Sequence, residues 1–286
     1  MSLDSNRYAH PTPGIAAWVS ERTANSQILA RARRATVGRL PFPVLASDVV
    51  NVIYATWLVD ANRARDAAPP GAVLWERNGL TPFTILSYRH GHFGPQAAGP
   101  LRQLFPSPLQ SNWRLYLGAP LRGTRERSTV IFVKNVLDSA PYTLGTRLFS
   151  DALPSHCART FTLSIEPAEL SVAIHPGAGS APTFSARFER NRNASLPAAF
   201  APFALSWSQA VTELSSQDAA LAYVPSIGRI ALATISLPVD IDSLEPISLR
   251  QGSLHCPMLE ELCALEEPLC FHLPRVHFKA LSERLL

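Results

Sequence analysis

The densest group of side chains able to do chemistry is Arg89-His90-Gly91-His92, which follows a segment rich in β-branched and aromatic residues. Histidine titrates near neutral pH, so His90 or His92 could act as a general acid or base. On an extended segment two residues at this spacing would share one face. Arg89 adds a guanidinium that could bind an anionic ligand. The alternative is that both histidines only hydrogen-bond the surrounding loop.

A metal site is the second chemistry that His-x-His spacing suggests. Cupin-like barrels combine this pair with a later carboxylate and a later histidine. No convincing candidates for those two further ligands follow in this sequence. The four cysteines contain no CxxC pair, so a zinc site is not supported either. We therefore predict no metal and no cofactor. The thiols are predicted to be free and buried, which suggests a reducing compartment; they are Cys157, Cys256, Cys263 and Cys270.

A second candidate segment alternates polar and large residues from Gln110 to Tyr116. On a strand, Asn112, Arg114 and Tyr116 would share one face, with Trp113 and the following leucine on the other. Such a strand could line half of a cavity, where Arg114 would hold a carboxylate bidentately. The alternative for Arg114 is a surface ion pair. Gln110, Asn112, Arg114 and Tyr116 are our ligand-binding candidates on this segment.

Lys134 is a further candidate because it lies within a predicted strand. Simple alternation puts it on one face with Phe132 and Val136. If that face were interior, the pKa of the lysine would be lowered and its amine could be a nucleophile. If it were exterior, Lys134 would be an ordinary solvated lysine. The sequence leaves the two alternatives open.

The elements around these residues are mainly strands. A helix is predicted over 15–34, and Leu40–Val44, with two prolines, ends it. Asp60 can cap a short helix after the first strand. The predicted strands are 49–58, 82–88, 113–117, 129–137, 159–172, 183–189, 227–236 and 246–249, and 271–281 is a strand or short helix.

Many strands with few helices between them indicate a mainly β (α+β) fold, either a closed barrel or a strongly curled sheet. No internal repeat or low-complexity linker divides the chain. We therefore expect an N-terminal arm and helix over 1–45 and a single barrel domain over 46–286.

Four segments, taken in order, resemble the acetoacetate-decarboxylase-like superfamily, over roughly 46–175. The first is Asn51–Trp57 with Pro69-Pro70-Gly71. The second is Phe83–Tyr88 running into the Arg89-His90-Gly91-His92 turn, and the third is Gln110–Tyr116. The fourth is Ala140–Arg147 with Ala152-Leu153-Pro154-Ser155-His156.

The resemblance implies a β-barrel with a ligand cavity built from the central strands. The decarboxylase forms a Schiff base through a lysine after its proline, whereas here Ser155 and His156 follow Pro154. A hydroxyl cannot form an imine with a ketone, so decarboxylation by that mechanism is disfavoured. The arginine that the decarboxylase places after its first-strand tyrosine is replaced by Ala55. Ser155 and His156 remain catalytic candidates, and Arg147 a ligand-binding one.

Charge and composition limit the partners. The chain has a net charge of +4, and all but two of its 26 basic residues are arginine. Arginine suits a small anionic or carbonyl metabolite, but the arginines are scattered and form no nucleic-acid stripe. No apolar run could span a bilayer, and the N-terminus lacks a secretory signal, so a cytoplasmic location follows by default. A homo-oligomer is possible.

Three functions remain open at this point. The first is an enzyme that performs lysine-independent acid–base chemistry, of lyase, hydratase or enolisation type, on a small carboxylated carbonyl compound. The second is a barrel that binds a small ligand without converting it. The third is a scaffold or regulatory protein with a vestigial cavity. A cavity fold does not decide between them.

Overall fold

The computed structural model describes residues 6–124, 126, 128–191 and 193–286. Its α-helices are α1 (Ile15–Ala24), α2 (Gln27–Ala35), α3 (Ala61–Arg65), α4 (Ala140–Phe149), α5 (Trp207–Ser215) and α6 (Pro257–Glu261). Its strands are β1 (Leu45–Asp60), β2 (Leu80–Arg89), β3 (Gly94–Pro95), β4 (Leu109–Tyr116), β5 (Thr129–Leu137), β6 (Ser155–Cys157), β7 (Thr160–Ile165), β8 (Glu169–His175), β9 (Phe184–Arg190), β10 (Ala219–Val224), β11 (Arg229–Ser236), β12 (Glu245–Leu249) and β13 (Leu269–Leu285).

Seven strands close into a mixed barrel in the order β1-β2-β4-β5-β10-β11-β13, with β13 pairing back to β1. The pairing of β5 with β10 is parallel, and the other six barrel pairings are antiparallel. Closure satisfies the backbone groups that an open sheet would leave at its edges. The mainly β barrel expected from the sequence is confirmed.

A second layer covers one side of the barrel. The sheet continues from β13 through β12, β9 and β8 to β7, and its apolar side chains pack on the outward faces of β1, β2 and β4. The ring of Phe184 lies 6.4 Å from Trp57 and 5.9 Å from Trp113, both edge-on. These fully buried aromatic side chains form an outer core, which fixes the odd-numbered residues of β4 away from the barrel interior.

The inner core fills one end of the barrel. Tyr54 stacks on Phe271 at a ring distance of 4.4 Å, and Val211 and Leu214 of α5 pack beneath them. Ser206 caps α5 by accepting a hydrogen bond from Gln209 N. The barrel is therefore closed by side chains and a helix at this end, and a cavity remains towards the other.

The N-terminal helices lie beside α4 at the open end of the barrel. Arg33 and Arg34 of α2 both contact Asp151: Arg34 binds the carboxylate through two hydrogen bonds of 2.9 and 2.7 Å, and Arg33 lies 2.6 Å from it. These contacts lower the pKa of Asp151 against the opposing effect of its burial. The chain after α2 is thereby held over the barrel mouth.

Several expected elements differ in the structure. The segment 159–172 is a hairpin of β7 and β8, not a single strand, and the 15–34 helix is divided into α1 and α2. The C-terminal segment is a 17-residue strand. Asp60 caps α3 by accepting from Arg63 N at 2.9 Å, as predicted. Strand β10 and helices α4 and α5 were not expected, because alanine-rich and mixed sequences there show no clear period.

The cysteines are free, and three of them are buried as predicted, but Cys263 is exposed at a positive φ of 50°. Across the described part of the chain, no helix is long and apolar enough to cross a membrane.

Candidate functional site

The barrel interior holds a cavity of about 890 Å³. Its walls come from β1, β2, β4, β5, β11 and β13, and its mouth lies between the chain after α2, the loop after β2, and α4. Most lining side chains are apolar. The polar side chains on the wall and at the mouth are Tyr54, Tyr88, His90, Gln110, Asn112, Arg114, Tyr142, Thr146, Ser150, Glu283 and Arg33.

Arg114 forms the charged end of the cavity. Its side chain is 4% exposed, and its Nη2 donates to Leu214 O at 2.8 Å, at the C-terminal end of α5. Its guanidinium lies over the rings of Tyr54 and Tyr116, at 5.3 and 5.5 Å. The helix end supplies only a partial negative charge. Among the described residues no carboxylate lies within ion-pair distance of Arg114.

Tyr116 positions this arginine. Its hydroxyl accepts from Arg114 Nε at 3.2 Å and donates to Leu214 O at 3.0 Å. The hydroxyls of Thr84 and Thr56 extend the same chain of hydrogen bonds. The guanidinium is therefore fixed in place at the inner end of the cavity.

One wall of the cavity is a hydrogen-bonded network of amides. Gln110 Nε2 donates to Asn135 Oδ1 at 2.8 Å, and Asn112 Nδ2 donates to the same oxygen at 2.5 Å. Asn135 Nδ2 donates to Ser155 Oγ, which also accepts from Thr146 Oγ1. The alternation predicted for β4 places Asn112, Arg114 and Tyr116 inward, as expected. Asn135 was missed because a single asparagine in an apolar strand carries no motif.

His90 joins the network at the mouth end. Its Nε2 donates to Gln110 Oε1 at 2.6 Å, and its Nδ1 accepts from Ser47 Oγ at 2.8 Å. The ring stacks on Phe93 at 4.3 Å. Burial lowers the pKa of His90 to about 4, partly opposed by the bond to Gln110. His90 is therefore neutral at physiological pH and is a hydrogen-bonding group more than a strong base.

The two histidines do not share a face, contrary to the sequence-based expectation. Strand β2 ends at Arg89, and the chain turns, so that His92 adopts a positive φ of 51° in the loop. The Nδ1 of His92 lies 3.4 Å from Phe105 O, and its carbonyl accepts from Arg102. Arg89 is exposed on the outside of the barrel and contacts Ser107 O. Of this predicted group only His90 lines the cavity.

Lys134 also lies outside the cavity wall. The pairing of β4 with β5 shifts by one residue, so that Trp113 faces Lys134 while Arg114 faces Phe132. This β-bulge turns Lys134 towards the outer side, so it does not share a face with Phe132 as simple alternation predicted. Lys134 is 7% exposed, and burial, with a smaller effect of Arg147, lowers its pKa to about 8.

Ser155 and His156 point to opposite sides of β6. Ser155 belongs to the amide network, whereas His156 Nδ1 bonds Ser180 Oγ at 2.7 Å beneath the N-terminal arm. Arg147 donates to Ser155 O and to Asn6 O and lies over the ring of Tyr8. Burial lowers the pKa of Arg147 to about 10 and that of His156 well below its usual range. These neighbours in sequence therefore do not form one site.

Ala55 lies in the outer core, with a relative exposure of 1%. A longer side chain at this position would point away from the cavity. An arginine at position 55, where the resemblance places the arginine of the decarboxylase, would therefore lie outside the cavity of this chain.

Glu283 is a cavity residue that the sequence analysis missed. It accepts hydrogen bonds from Ser150 Oγ at 2.5 Å and Asp151 N at 2.6 Å. Burial raises its pKa, with these hydrogen bonds opposing the shift. Nothing near it in the sequence marks it, because its partners come from the distant loop after α4. In the described ranges no three His, Cys, Asp or Glu side chains converge as a metal site.

Comparison with solved structures supports the fold. No protein-family model and no curated protein matches the chain. Among solved structures, acetoacetate decarboxylase from Legionella pneumophila is 11% identical, with a TM-score of 0.56, covering 100% of this chain and 96% of that one. An acetoacetate decarboxylase-like enzyme from Sphingomonas wittichii RW1 is 12% identical, with a TM-score of 0.54, covering 86% and 94%.

A third match is the enduracididine biosynthesis enzyme MppR, solved in complex with the condensation product of pyruvate and imidazole 4-carboxaldehyde. It is 13% identical, with a TM-score of 0.56, covering 86% of this chain and 90% of that one. MppR has also been solved in complex with pyruvate. At these identities the likeness concerns the backbone architecture. The chain therefore has the fold of the acetoacetate-decarboxylase-like superfamily, as the order of its sequence segments predicts.

Proposed function

We propose that the barrel cavity binds a small carboxylated carbonyl compound, with Arg114 holding the carboxylate. The observation that carries this proposal is a buried, permanently charged guanidinium on the wall of a mostly apolar cavity, with no carboxylate partner among the described residues. A buried charge without a partner is costly, and an anionic ligand would remove that cost. The pyruvate complex of MppR, a protein of the same fold, supports this class of ligand.

The amide wall supplies the second part of the recognition. Asn112 and Gln110 line the same cavity and lie two and four residues from Arg114 on β4. Side chains two apart on a strand are about 7 Å apart along it. A ligand bound through its carboxylate would therefore present an adjacent carbonyl to amide donors. Tyr54, whose pKa burial raises, stays neutral and can donate as well. The Tyr88 hydroxyl, whose pKa burial also raises, donates to Asn112 Oδ1 at 2.8 Å and orients that amide.

The test is thermal stabilisation by a panel of 2-oxo acids, measured on the full chain. We expect wild type to be stabilised and Arg114→Gln not to be. Arg114→Lys keeps the positive charge but loses the planar, bidentate donor geometry of the guanidinium, and should retain part of the stabilisation. Arg187→Gln, an exposed arginine that pairs with Glu169, is the matched control and should behave as wild type. Equal stabilisation of wild type and Arg114→Gln would overturn the proposal.

Acid–base conversion of the bound compound is the second candidate function, and His90 is the observation that favours it. A neutral imidazole bonded to Ser47 on one side and Gln110 on the other is held in one tautomer on the cavity wall. A ligand that displaced Gln110 from Nε2 would take over this N–H, which would then polarise the ligand carbonyl and promote enolisation. Exchange of ligand C3 hydrogens in deuterium oxide, followed by NMR, measures this. His90→Gln should abolish exchange while retaining Arg114-dependent binding. If wild type showed no exchange, this second candidate function would be ruled out and only ligand binding would remain proposed.

A further inference from the structure

We propose that the ligand held at Arg114 is an amphipathic acid whose apolar chain extends to the cavity mouth, not an acid of pyruvate's size. This inference rests on the proposed function and names the chemical class of its ligand. It is carried by the length of the cavity, by its volume, and by the polarity of its two opposing walls.

The volume is far larger than a three-carbon acid requires. At about 30 Å³ per water, a cavity of about 890 Å³ corresponds to on the order of 30 waters. Pyruvate, with six non-hydrogen atoms, would leave most of that space to solvent against apolar walls. Water in contact with apolar surface is unfavourable, so a ligand that displaced it would bind more tightly.

The cavity is also long. Tyr54, beside Arg114, and Leu45, at the mouth, both line it and lie nine residues apart on β1. Nine residues span about 30 Å of strand, or about 21 to 25 Å along the axis of a barrel with strands tilted by 35–45°. An extended carbon chain advances about 1.25 Å per bond, from ordinary bond lengths and angles. A chain of 14 carbons, about 16 Å long at this advance, would therefore fit between Arg114 and the mouth.

The two walls differ in polarity. Opposite the amide wall, between Tyr54 at the inner end and Glu283 at the rim, the lining from β1, β11 and β13 consists of apolar side chains, among them Val49, Ile235, Val276 and Phe278. Val49 and Val276 face each other in the pairing of β1 with β13, partway to the mouth. Between those two polar side chains the wall offers no side-chain hydrogen bond to a ligand. It matches an aliphatic or aromatic chain, while the amide wall receives the oxygen of the carbonyl.

The mouth continues the apolar wall. Leu40, Phe42 and Phe149 surround the opening, and Leu40 and Phe149 are 65% and 63% exposed. At this end of the cavity the charged side chains are Arg33 and Glu283, and both lie at the rim. A charged group at the far end of the ligand would therefore contact mainly apolar side chains. The geometry therefore favours a monocarboxylate with an apolar tail over a short dicarboxylate.

The experiment is a chain-length series of unbranched 2-oxo acids from three to fourteen carbons, with dissociation constants from calorimetry. We expect affinity to rise by about four-fold per methylene, the value for full burial, over at least four successive steps and then to reach a limit. A flat series, with pyruvate bound as tightly as the ten-carbon acid, would overturn the inference.

Variants separate this inference from the proposed function. Val276→Phe narrows the cavity partway to the mouth and should lower the length limit by several carbons while leaving pyruvate affinity within two-fold. Leu281→Phe, at a partly exposed site on the same strand that does not line the cavity, is the matched control. If Arg114→Gln weakened every acid equally but length had no effect, only this inference would fail. If Arg114→Gln changed no affinity, the proposed function itself would fail.

Discussion

His90 and Gln110 are joined by a 2.6 Å hydrogen bond between Nε2 and Oε1. His90 directly follows β2, and Gln110 lies on the neighbouring strand β4. Because the amide oxygen accepts, the imidazole must keep its proton on Nε2, and its Nδ1 accepts from Ser47. Protonation of His90 would turn Nδ1 into a donor and break that arrangement. The network therefore depends on a neutral His90.

Acid should destabilise the protein through this histidine. The pKa of His90 is about 4 in the folded chain, against 6.5 for the ordinary group. As pH falls from 6.5 to 4 the unfolded chain takes up a proton that the folded chain does not, so stability decreases, by about 3 kcal/mol in total. Urea denaturation between pH 7 and 4.5 measures this decrease.

The variant that isolates the effect is His90→Gln. It should lose part of the decrease in the free energy of unfolding that wild type shows as pH falls. His156, whose pKa burial also lowers, contributes with the same sign and should account for the remainder. A second variant, His156→Gln, and the double variant apportion the two. An unchanged pH dependence in His90→Gln would contradict the assignment.

The inward face of β4 illustrates what sequence can predict. Period-two alternation orients Asn112, Arg114 and Tyr116 correctly because that strand is regular through those residues. The same rule fails one strand away, because the bulge opposite Trp113 reverses the facing of Lys134 relative to Phe132. A one-residue shift in register has no signature in composition. Strand content was therefore predictable, and the orientation of this lysine was not.

Lys134 should not form a Schiff base with a 2-oxo acid in the folded protein. It lies on the side of β5 away from the cavity, although burial lowers its pKa to about 8. Borohydride treatment in the presence of pyruvate, followed by peptide mass analysis, should show no adduct at Lys134. Lys279 is the other lysine of the chain and serves as an internal comparison. An adduct at Lys134 that disappears in Lys134→Arg would restore the covalent mechanism.

Asp151→Asn should loosen the N-terminal segment over the cavity mouth. The substitution leaves Arg33 and Arg34, 11% and 17% exposed, without their shared carboxylate. Because these groups are only partly buried, we expect a loss of about 2 kcal/mol, between the values for exposed and for buried ion pairs. Hydrogen exchange over 27–43 should accelerate most.

The matched control for that substitution is Glu76→Gln, which breaks an ion pair between exposed side chains, Glu76 and Arg65. Such pairs contribute less than about 1 kcal/mol. Equal effects of the two substitutions would mean that α2 is not held by Asp151.

The site itself was only partly predictable. Gln110, Asn112, Arg114 and His90, which line the cavity, were candidates because they lie within or directly after predicted strands. Glu283 was not, since its partners are more than 130 residues away in the sequence. Ser155 and His156 were each predicted as catalytic candidates, and the structure places them on opposite faces of β6, as alternation on any strand requires.

Gly91 should be intolerant of any side chain. A Cβ there would lie 2.3 Å from the carbonyl oxygen of Asp48, a backbone atom that cannot move aside without displacing β1. Gly91→Ala should therefore lower the free energy of unfolding by more than about 2 kcal/mol and disturb the neighbouring His90.

Gly145→Ala is the control, because a Cβ in that turn of α4 meets nothing within 4 Å. It should gain about 0.5 to 1 kcal/mol by favouring the helix. Urea denaturation compares the two, and a Gly91→Ala protein as stable as wild type would show that β1 and this turn do not pack so closely.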